Sequence, residues 1–321
     1  MESRHLGASG LRVSRMALGT MSWGTVTDAE EAANQLAAFV DAGGTLVDTA
    51  DIYADGEGER ILGSLLGELV PRDDIVLATK AVARRGSGPF GGGASRGALL
   101  SALNGSLRRL GVEHIDLWQL HAWDSAVPIE ETLSALDHAV SSGKVRYAGV
   151  CNYAGWQLAT AAAATSDQRI ISTQAEYSLL ERGIEREVVP AAAHHGIGLL
   201  PWAPLGRGVL TGKYRTGTPA DSRGASTTYA GYVEQHRTER AGRIVEAVVT
   251  AADGLGTSPL AVALAWVRDR PGVVAPVVGA RDTAQLSGSL AAEELVLPSA
   301  IRSALDDVSS IEFGYPERWP S

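Results

Sequence analysis

The chain has 321 residues, of which 45% are hydrophobic and 20% charged, and its formal net charge is −9. This acidic balance excludes broad nucleic-acid binding, which needs a basic face, and the chain has no run of about 18 apolar residues that would span a membrane. Because the single cysteine, Cys151, cannot form an intramolecular disulfide and the N-terminus lacks the apolar stretch of a signal peptide, we expect a reducing, cytoplasmic location.

The first 14 residues contain two short runs around Gly-Ala-Ser-Gly, a pattern that predicts a small β-hairpin. After them, short apolar runs alternate with longer helical patterns along most of the chain. Each apolar run predicts a buried parallel strand. The eight runs are Arg15–Leu18, Thr45–Val47, Ile75–Thr79, Ile115–Leu120, Tyr147–Val150, Thr173–Ala175, Gly198–Pro201 and Val273–Val278.

Capping residues and glycines indicate where the predicted helices begin and end. Asp28 can cap the first helix, which runs to about Asp41 and stops at Gly43-Gly44. Pro128 suits the first turn of the fourth helix, which ends at Gly143. The other helices are predicted at Glu57–Leu69, Ser95–Leu110, Tyr153–Thr165, Ile184–His195, Arg237–Ala252, Pro259–Arg268, Asp282–Ala291 and Pro298–Ser310.

The repeated strand–helix order with eight strands predicts an α/β fold, a closed (β/α)8 TIM barrel with the N-terminal hairpin and additional C-terminal helices. We expect residues 1–321 to form one domain. A monomer is the default expectation, because a closed barrel leaves no obligatory unpaired edge, and an oligomer is also possible. Two loops stand outside the alternation, the glycine-rich Arg84–Gly93 and the long Leu205–Gln235, and loops of such length are often functional.

Polar residues end three consecutive predicted strands, at the barrel end where active sites of this fold lie. Asp48 ends the second strand, Lys80 the third and His121 the fourth, and Tyr53 follows Asp48 by five residues. Each residue also has a structural interpretation, because Asp48 suits a helix cap, Lys80 a solvated rim lysine and His121 a buried core histidine. Their combination on adjacent strands favours a shared catalytic role.

These four residues together predict an acid–base device. An ammonium near a phenol favours the phenolate, so Lys80 is expected to lower the pKa of Tyr53 from its ordinary value of about 10. Asp48 would hold that ammonium in place, and the His121 imidazole can donate a hydrogen bond to a carbonyl oxygen. None of them supplies an electron pair for reduction, so the device requires a cofactor.

The same segments resemble the aldo-keto reductases, in particular the branch with the potassium-channel β-subunits and bacterial general reductases. The resemblance covers nearly the whole chain and rests on "LVDTADIYADGEGERILG", "VLATK" and "HIDLWQLHAWD". It implies a (β/α)8 barrel that binds NADPH across its rim and reduces carbonyl groups. It also implies that the catalytic residues are Asp48, Tyr53, Lys80 and His121, with Tyr53 as the proton donor.

The resemblance further implies the residues that bind the nicotinamide and the pyrophosphate. Around the nicotinamide these are Thr20 and Met21 of "LGTM", Asp48, Cys151 and Asn152 of "GKVRYAGVCNY", Gln174 of "TQAEYS", and Trp202 of "LLPWAPLGRGVLTGKY", which stacks on the ring. Cys151 stands where the family has a serine. Along the pyrophosphate they are Ala203, Pro204, Leu205 and Gly206, with Lys213 and Arg223 adding positive charge from the long loop.

At the adenosine end, "VVGARDTAQLSGSL" is similar to the family segment that wraps the 2′-phosphate and the adenine. The implied contacts are Gly279, Ala280, Arg281, Gln285 and Ser289. The usual Glu-Asn pair is here Gly288-Ser289, so the contact to the adenine amino group is expected to be weakened. Arg281 offers a guanidinium to the 2′-phosphate, and NADPH is therefore the expected cofactor.

The substrate is expected to be a small-molecule carbonyl compound in a pocket with aromatic walls, formed by Trp23, Tyr53, His121 and Trp123. Two alternatives stay open. The first is a cofactor-binding partner or redox-sensor module with little turnover, as in relatives of the channel subunits. The second is a metal-dependent hydrolase, since His114, His121 and Asp124 are close in sequence. Because His114 precedes its strand, it is expected at the opposite barrel end from His121, and we expect no metal site.

Overall fold

The computed structural model describes residues 1–164, 170–220, 222–226, 230–315 and 317–318. The end of one predicted helix, at Thr165, and residues 316 and 319–321 of the predicted domain lie outside the described residues. The strands are β1 (Ser3–His5), β2 (Arg12–Ser14), β3 (Ala17–Gly19), β4 (Leu46–Asp48), β5 (Val76–Ala81), β6 (Ile115–Leu120), β7 (Val145–Cys151), β8 (Ile170–Glu176), β9 (Gly198–Trp202) and β10 (Val277–Val278).

The eight strands from β3 to β10 form one parallel sheet that curls into a barrel, in the order β10-β3-β4-β5-β6-β7-β8-β9. The two ends of this sheet meet through Val273, which pairs with Leu199 of β9, and the Val274 amide donates to the Leu199 carbonyl at 2.9 Å. Each strand pairs with its neighbours in the chain, as the alternation of apolar runs predicts. The (β/α)8 barrel is thus confirmed.

The eighth predicted strand, Val273–Val278, is shorter in the structure than in the sequence-based prediction. Val273 and Val274 pair with β9, whereas only Val277 and Val278 pair with β3. Between the two pairs lies Pro276, which has no amide hydrogen to donate to a ladder. Its carbonyl still accepts from the Ala17 amide at 3.0 Å, so the segment crosses from one sheet end to the other and closes the barrel.

The helices lie outside the barrel, and most begin and end where the capping residues predict. Asp28 accepts from the Glu31 amide at the start of the first helix, and Ser95 from the Ala98 amide at the start of the third. The helices are α1 (Ala29–Asp41), α2 (Glu57–Leu65), α3 (Arg96–Leu110), α4 (Ile129–Ser141), α5 (Gly155–Ala164), α6 (Val188–His195), α7 (Ala230–Glu234), α8 (Glu239–Leu255), α9 (Pro259–Arg268), α10 (Thr283–Leu290) and α11 (Ser299–Val308).

Some predicted helix bounds and the predicted long loop differ from the structure in detail, and α6 begins at Val188 and not at Ile184. Helix α2 ends at Leu65 and not at Leu69, because Gly67 has a φ of +86° and forms a turn that the helix cannot continue through. The long loop Leu205–Gln235 is not irregular throughout, since it contains α7 and two 3-10 turns, Gly206–Thr211 and Arg223–Ala225.

The predicted N-terminal hairpin is confirmed, since β1 and β2 pair antiparallel. It covers the end of the barrel where the strands begin. Leu6 and Val13 are fully buried there in a cluster with Ala17 and Leu46 of the first two barrel strands. A Cβ at Gly7 would lie 2.5 Å from the Ile171 carbonyl oxygen, so only glycine allows this close approach. The opposite end of the barrel is left for the site.

Among the described residues, no single helix is long and apolar enough to cross a membrane. Helices α8 and α9 meet the requirement of length and composition only when they are taken together, with a bend of 102° at the break between them. All residues of α9 from Ala261 to Arg268 are buried within the fold.

Candidate active site

The carboxyl ends of β4, β5 and β6 bring the four predicted catalytic residues together. Asp48 is the last residue of β4, Lys80 lies in β5, and His121 directly follows β6. In the parallel register, Asp48 is opposite Ala78 and Lys80 is opposite Gln119, so the strands are staggered around the barrel. Tyr53 lies in the turn above β4, with its ring 6.2 Å from the His121 ring and nearly perpendicular to it.

A buried ion pair lies at the centre of this group. The Lys80 ammonium, with a fully buried side chain, donates to the Asp48 carboxylate, whose side chain is 4% exposed. The same ammonium donates to the Thr49 carbonyl at 2.9 Å. The other Asp48 oxygen accepts from the side-chain amides of Gln119, at 3.0 Å, and Gln174, at 2.9 Å. Every polar atom of the carboxylate is thereby hydrogen-bonded, which a buried charge requires.

Sequence reasoning missed Gln119. It lies on β6 two residues before His121, so its side chain points to the same interior face, and this alternation was the available signal. Besides binding Asp48, its side-chain oxygen accepts a weak hydrogen bond from the Cys151 thiol at 3.7 Å. The Cys151 side chain is thus turned toward the barrel interior. Burial raises the pKa of its thiol, so it stays neutral.

Opposing effects set the pKa of Lys80. Burial is the largest single effect and disfavours its charged form, but the Asp48 carboxylate, with smaller contributions from Tyr53 and Cys151, outweighs burial, so the pKa of Lys80 is raised above its ordinary value. The ammonium is therefore permanently charged. It lies 5.2 Å from the centre of the Tyr53 ring.

The Lys80 ammonium lowers the pKa of Tyr53 as expected, but the net shift of that pKa is upward. Burial of the phenol raises the pKa of Tyr53, the Lys80 ammonium lowers it, and the Asp48 carboxylate raises it again. Burial is the largest of these effects, and Asp48 opposes Lys80, so desolvation decides the direction of the shift. Tyr53 is consequently a neutral phenol that has a proton to donate.

His121 is also neutral. Burial and the Lys80 ammonium lower its pKa to about 4, against a smaller opposing effect of Asp48. Within the part of the chain that the structure describes, its Nδ1 atom has no hydrogen-bond partner. Its backbone is fixed, because its amide donates to the Ala81 carbonyl at 2.8 Å and its carbonyl accepts from Asn152 at 2.9 Å. A neutral imidazole is thus held beside the Tyr53 ring.

The residues expected around the nicotinamide lie on the same rim. Asn152 has a φ of +57°, and its side-chain oxygen accepts from the Trp202 indole nitrogen at 2.9 Å. This bond fixes the plane of a half-buried indole ring at the end of β9. Thr20 is buried, and its hydroxyl donates to the Asp48 carbonyl at 3.2 Å. The next residue, Met21, is 41% exposed.

The segment after Trp202 forms a tight turn at the rim. Ala203 has a φ of +49°, its carbonyl accepts from the Gly206 amide at 2.8 Å, and Pro204 within the turn is buried, whereas Leu205 is half-buried. Lys213 is exposed, with its ammonium 5.3 Å from the Tyr214 ring. The Arg223 side chain lies outside the described residues.

A charge network that the sequence does not reveal ties the long loop to the barrel. The Arg207 guanidinium contacts Glu176, the last residue of β8, at 2.9 Å, and it lies 5.6 Å from the Trp202 ring centre. It also donates to the Tyr232 carbonyl at 3.0 Å. His236 contacts the second Glu176 oxygen at 3.2 Å. Glu176 thus connects both ends of the loop to the strand beside Trp202.

The predicted adenosine segment follows β10. Gly279 is exposed, the buried Ala280 accepts through its carbonyl from the Ser22 hydroxyl at 2.9 Å, and the Arg281 amide donates to the Gln285 side chain at 3.3 Å. Ser289 is 5% exposed, and its hydroxyl donates to the Gln285 carbonyl one turn back in α10.

Two carboxylates occupy the N-terminal end of α10, next to Arg281. Asp282 caps the helix by accepting from the Gln285 amide at 2.8 Å. Glu31 of α1 accepts from the Thr283 hydroxyl at 2.6 Å and also from its backbone amide. A helix N-terminus attracts anions, and here acidic side chains of the chain itself use that capacity.

The aromatic walls differ from expectation at one position. Trp23 is fully buried and its indole nitrogen donates to Gln35 at 3.0 Å, so it lies in the core beneath the rim and offers no surface to a substrate. Trp123 does lie on the rim, where its ring contacts those of Tyr153 and Trp156 at 5.2 and 5.4 Å. Trp156, which sequence reasoning missed, is 60% exposed.

A cavity of about 490 Å³ opens beside Asn152 and Trp202, and Glu176 and Glu187 also line it. It touches residues expected at the nicotinamide but none of the four catalytic candidates. Among the described residues, no group of three His, Cys, Asp or Glu side chains is placed to hold a metal ion. His114 and His121 flank β6 at opposite ends.

Comparisons with known proteins extend over almost the whole barrel. The Aldo/keto reductase family profile matches residues 15–310. The chain is 37% identical over 320 residues to an uncharacterized oxidoreductase, YrpG, of Bacillus subtilis (strain 168), with 96% of each chain covered. It is 33% identical over 325 residues to a probable voltage-gated potassium channel subunit beta of Arabidopsis thaliana, covering 99% of this chain and 98% of that one. It is also 33% identical over 302 residues to an L-glyceraldehyde 3-phosphate reductase of Escherichia coli O157:H7, covering 91% and 87%.

Proposed function

The chain belongs to the aldo/keto reductase family, and we propose that it is an enzyme that uses NADPH to reduce the carbonyl group of a small aldehyde, ketone or keto-sugar to an alcohol. The observation that carries the proposal is the buried Asp48–Lys80 pair, with Tyr53 and His121 beside it at the ends of adjacent strands. We also propose that residues 1–321 form one reductase domain, located in the cytoplasm and monomeric by default.

In this proposal, the substrate carbonyl oxygen lies between the Tyr53 hydroxyl and His121. Tyr53 is neutral and donates its proton to that oxygen as negative charge develops there, and His121 donates a hydrogen bond to the same atom. The fixed ammonium of Lys80 stabilises the phenolate that remains. Asp48 keeps the ammonium charged and in place. NADPH, when bound, supplies the hydride that adds to the carbonyl carbon.

The rim residues fit a dinucleotide. The Trp202 ring is half-buried and held in one plane by Asn152, as a stacking surface for a nicotinamide requires. Lys213 adds an exposed positive charge along the path of the phosphates. The positive charge of Arg281 favours binding of a 2′-phosphate, whereas the negative charges of Asp282 and Glu31 repel it. We therefore expect a modest preference for NADPH over NADH.

The similarity to a probable channel β-subunit supports a second candidate, a cofactor-binding partner with little turnover. The two candidates share the cofactor and differ in catalysis. Tight NADPH binding without turnover on a panel of aldehydes, ketones and keto-sugars would favour the second.

The test is a tryptophan fluorescence titration with NADPH and, separately, NADH, followed by turnover assays. We expect quenching at micromolar NADPH, weaker quenching by NADH, and loss of most of the NADPH response in Trp202→Phe. Tyr53→Phe should abolish turnover while binding persists, and Lys80→Met should reduce turnover far more than NADPH affinity. Near-normal turnover in Tyr53→Phe, or no response of the wild type to either nucleotide, would refute the proposal.

A further inference from the structure

The glycine-rich loop that follows β5, Arg84–Gly93, folds back on itself at the barrel rim. The amides of Arg85 and Gly86 both donate to the Gly91 carbonyl, at 2.7 and 3.1 Å. A Cβ at Gly91 would lie 2.3 Å from the Gly86 carbonyl oxygen, so this close backbone approach requires glycine. The fold of the loop therefore holds the backbone of Arg85 in one position, from which its side chain extends.

The turn that carries Tyr53 has a backbone that most residues avoid. The next three residues, Ala54, Asp55 and Gly56, have φ values of +48°, +53° and +86°. Only glycine adopts this left-handed region without steric cost, so the two non-glycine residues need contacts that hold them there. The Tyr53 amide donates to the Ala50 carbonyl at 3.1 Å, but this bond joins the turn only to its own neighbour in the chain. Support from another segment is therefore needed.

Arg85 of the glycine-rich loop provides this support. Its Nη2 atom donates to the Asp55 carbonyl at 2.9 Å and lies 3.3 Å from the Asp55 carboxylate. The same atom would lie 2.8 Å from a Cβ at Gly56, so the guanidinium also packs against the next residue of the turn. The Asp55 side chain is 84% exposed, and an ion pair in such a position contributes little. The bond to the backbone carbonyl is therefore the contact that fixes the turn.

A second arginine packs against the same turn without the help of the loop. A Cβ at Gly56 would lie 2.7 Å from Arg109 Cδ. Arg109 of α3 is itself fixed, since its guanidinium donates at 2.7 Å to Glu59, which is fully buried and also accepts from the Thr79 hydroxyl at 2.6 Å. None of these contacts includes Arg85. Replacing Arg85 should consequently loosen the turn without removing the buried ion pair behind it.

We propose that Arg85 is a positioning residue of the reductase: its guanidinium, presented by the glycine-rich loop, binds the left-handed turn and thereby fixes the Tyr53 ring in the site. The inference rests on the proposed function, because it takes Tyr53 as the proton donor. The Tyr53 ring centre lies 5.2 Å from the Lys80 ammonium and 6.2 Å from the His121 ring, and both distances depend on where the turn places the ring. Arg85 touches neither substrate nor cofactor in this account, and it acts through the backbone of residues 54–56.

The experiment measures kcat, KM, NADPH affinity and the solvent deuterium isotope effect on kcat for the wild type, Arg85→Gln, Arg85→Lys and Asp55→Asn. Arg84→Gln is the matched control, because Arg84 is an exposed arginine of the same loop that donates to the Gly86 carbonyl at 3.0 Å and not to the turn. We expect Arg85→Gln to lower kcat about ten- to a hundredfold, as misplaced catalytic groups do, with little change in KM or NADPH affinity. The isotope effect should rise, because proton transfer from a displaced phenol becomes slower than the other steps.

Arg85→Lys keeps a cationic donor and should recover part of kcat, whereas Asp55→Asn keeps the backbone carbonyl and should resemble the wild type, as should Arg84→Gln. Gly91→Ala displaces the backbone that presents Arg85 and should reproduce the loss, so it tests the same role if Arg85→Gln does not fold. In a wild type that binds NADPH and turns over, an unchanged kcat in Arg85→Gln, or a lower kcat without a larger isotope effect, would overturn the positioning role alone. A wild type without turnover would instead refute the proposed function, and the positioning role with it.

Discussion

Replacing Lys80 with methionine should destabilise the fold, because the Asp48 carboxylate would stay buried without its cation. Removing one partner of a buried ion pair typically costs about 3–5 kcal/mol. Asp48 would keep its bonds from Gln119 and Gln174, at 3.0 and 2.9 Å. Since a hydrogen bond to a charged group contributes about 1.5–3 kcal/mol, these bonds place the expected loss near the lower bound, at about 3 kcal/mol.

The converse change, Asp48→Asn, should cost a similar amount, since it leaves a buried ammonium with the Thr49 carbonyl and one neutral amide oxygen. The double variant removes both charges and should lose less than the sum of the single variants by about 2 kcal/mol or more. Urea unfolding of all four proteins at pH 7, followed by tryptophan fluorescence, gives this coupling energy. Single losses that add to within about 0.5 kcal/mol would refute compensation between the two charges.

Three further outcomes are expected. The pKa of folded His121 is about 4, below the ordinary 6.5, so its contribution to stability is complete above pH 6.5 and is lost as pH falls toward 4. Between pH 7 and 4, the free energy of unfolding from urea titrations should therefore fall less in His121→Gln than in the wild type, by about 3 kcal/mol. The pKa of Asp51 is raised from 3.8 to about 7, so its ionisation reduces stability as pH rises between these values; Asp51→Asn should be more stable than the wild type by about 4 kcal/mol at pH 8 and equal to it at pH 3.5. Asp282→Asn should raise the ratio of NADPH affinity to NADH affinity about tenfold, and Arg281→Ala should lower this ratio about tenfold. Fluorescence titrations measure both affinities, and a ratio unchanged from the wild type in both variants would show that neither residue selects the cofactor.

The barrel could be predicted because each strand and each helix end depends on local chemistry. A buried parallel strand needs an apolar run, and the N-caps Asp28 and Ser95 satisfy free amides within three residues. Asp48, Lys80 and His121 could be placed on one rim because parallel strands end at one face. Where prediction failed locally, as at Gly67 and Pro276, a single residue ended an element that the apolar pattern continues through.

Contacts between distant segments could not be predicted. Glu31 and Thr283 are 252 residues apart and Glu176 and Arg207 are 31 apart, and nothing in either neighbourhood indicates the partner. Trp23 was expected on the pocket wall, but its indole nitrogen donates a hydrogen bond to Gln35 of α1 within the core. The direction of the Tyr53 pKa shift depends on burial and on the opposing charges of Lys80 and Asp48, and the order of residues in the sequence does not determine their balance.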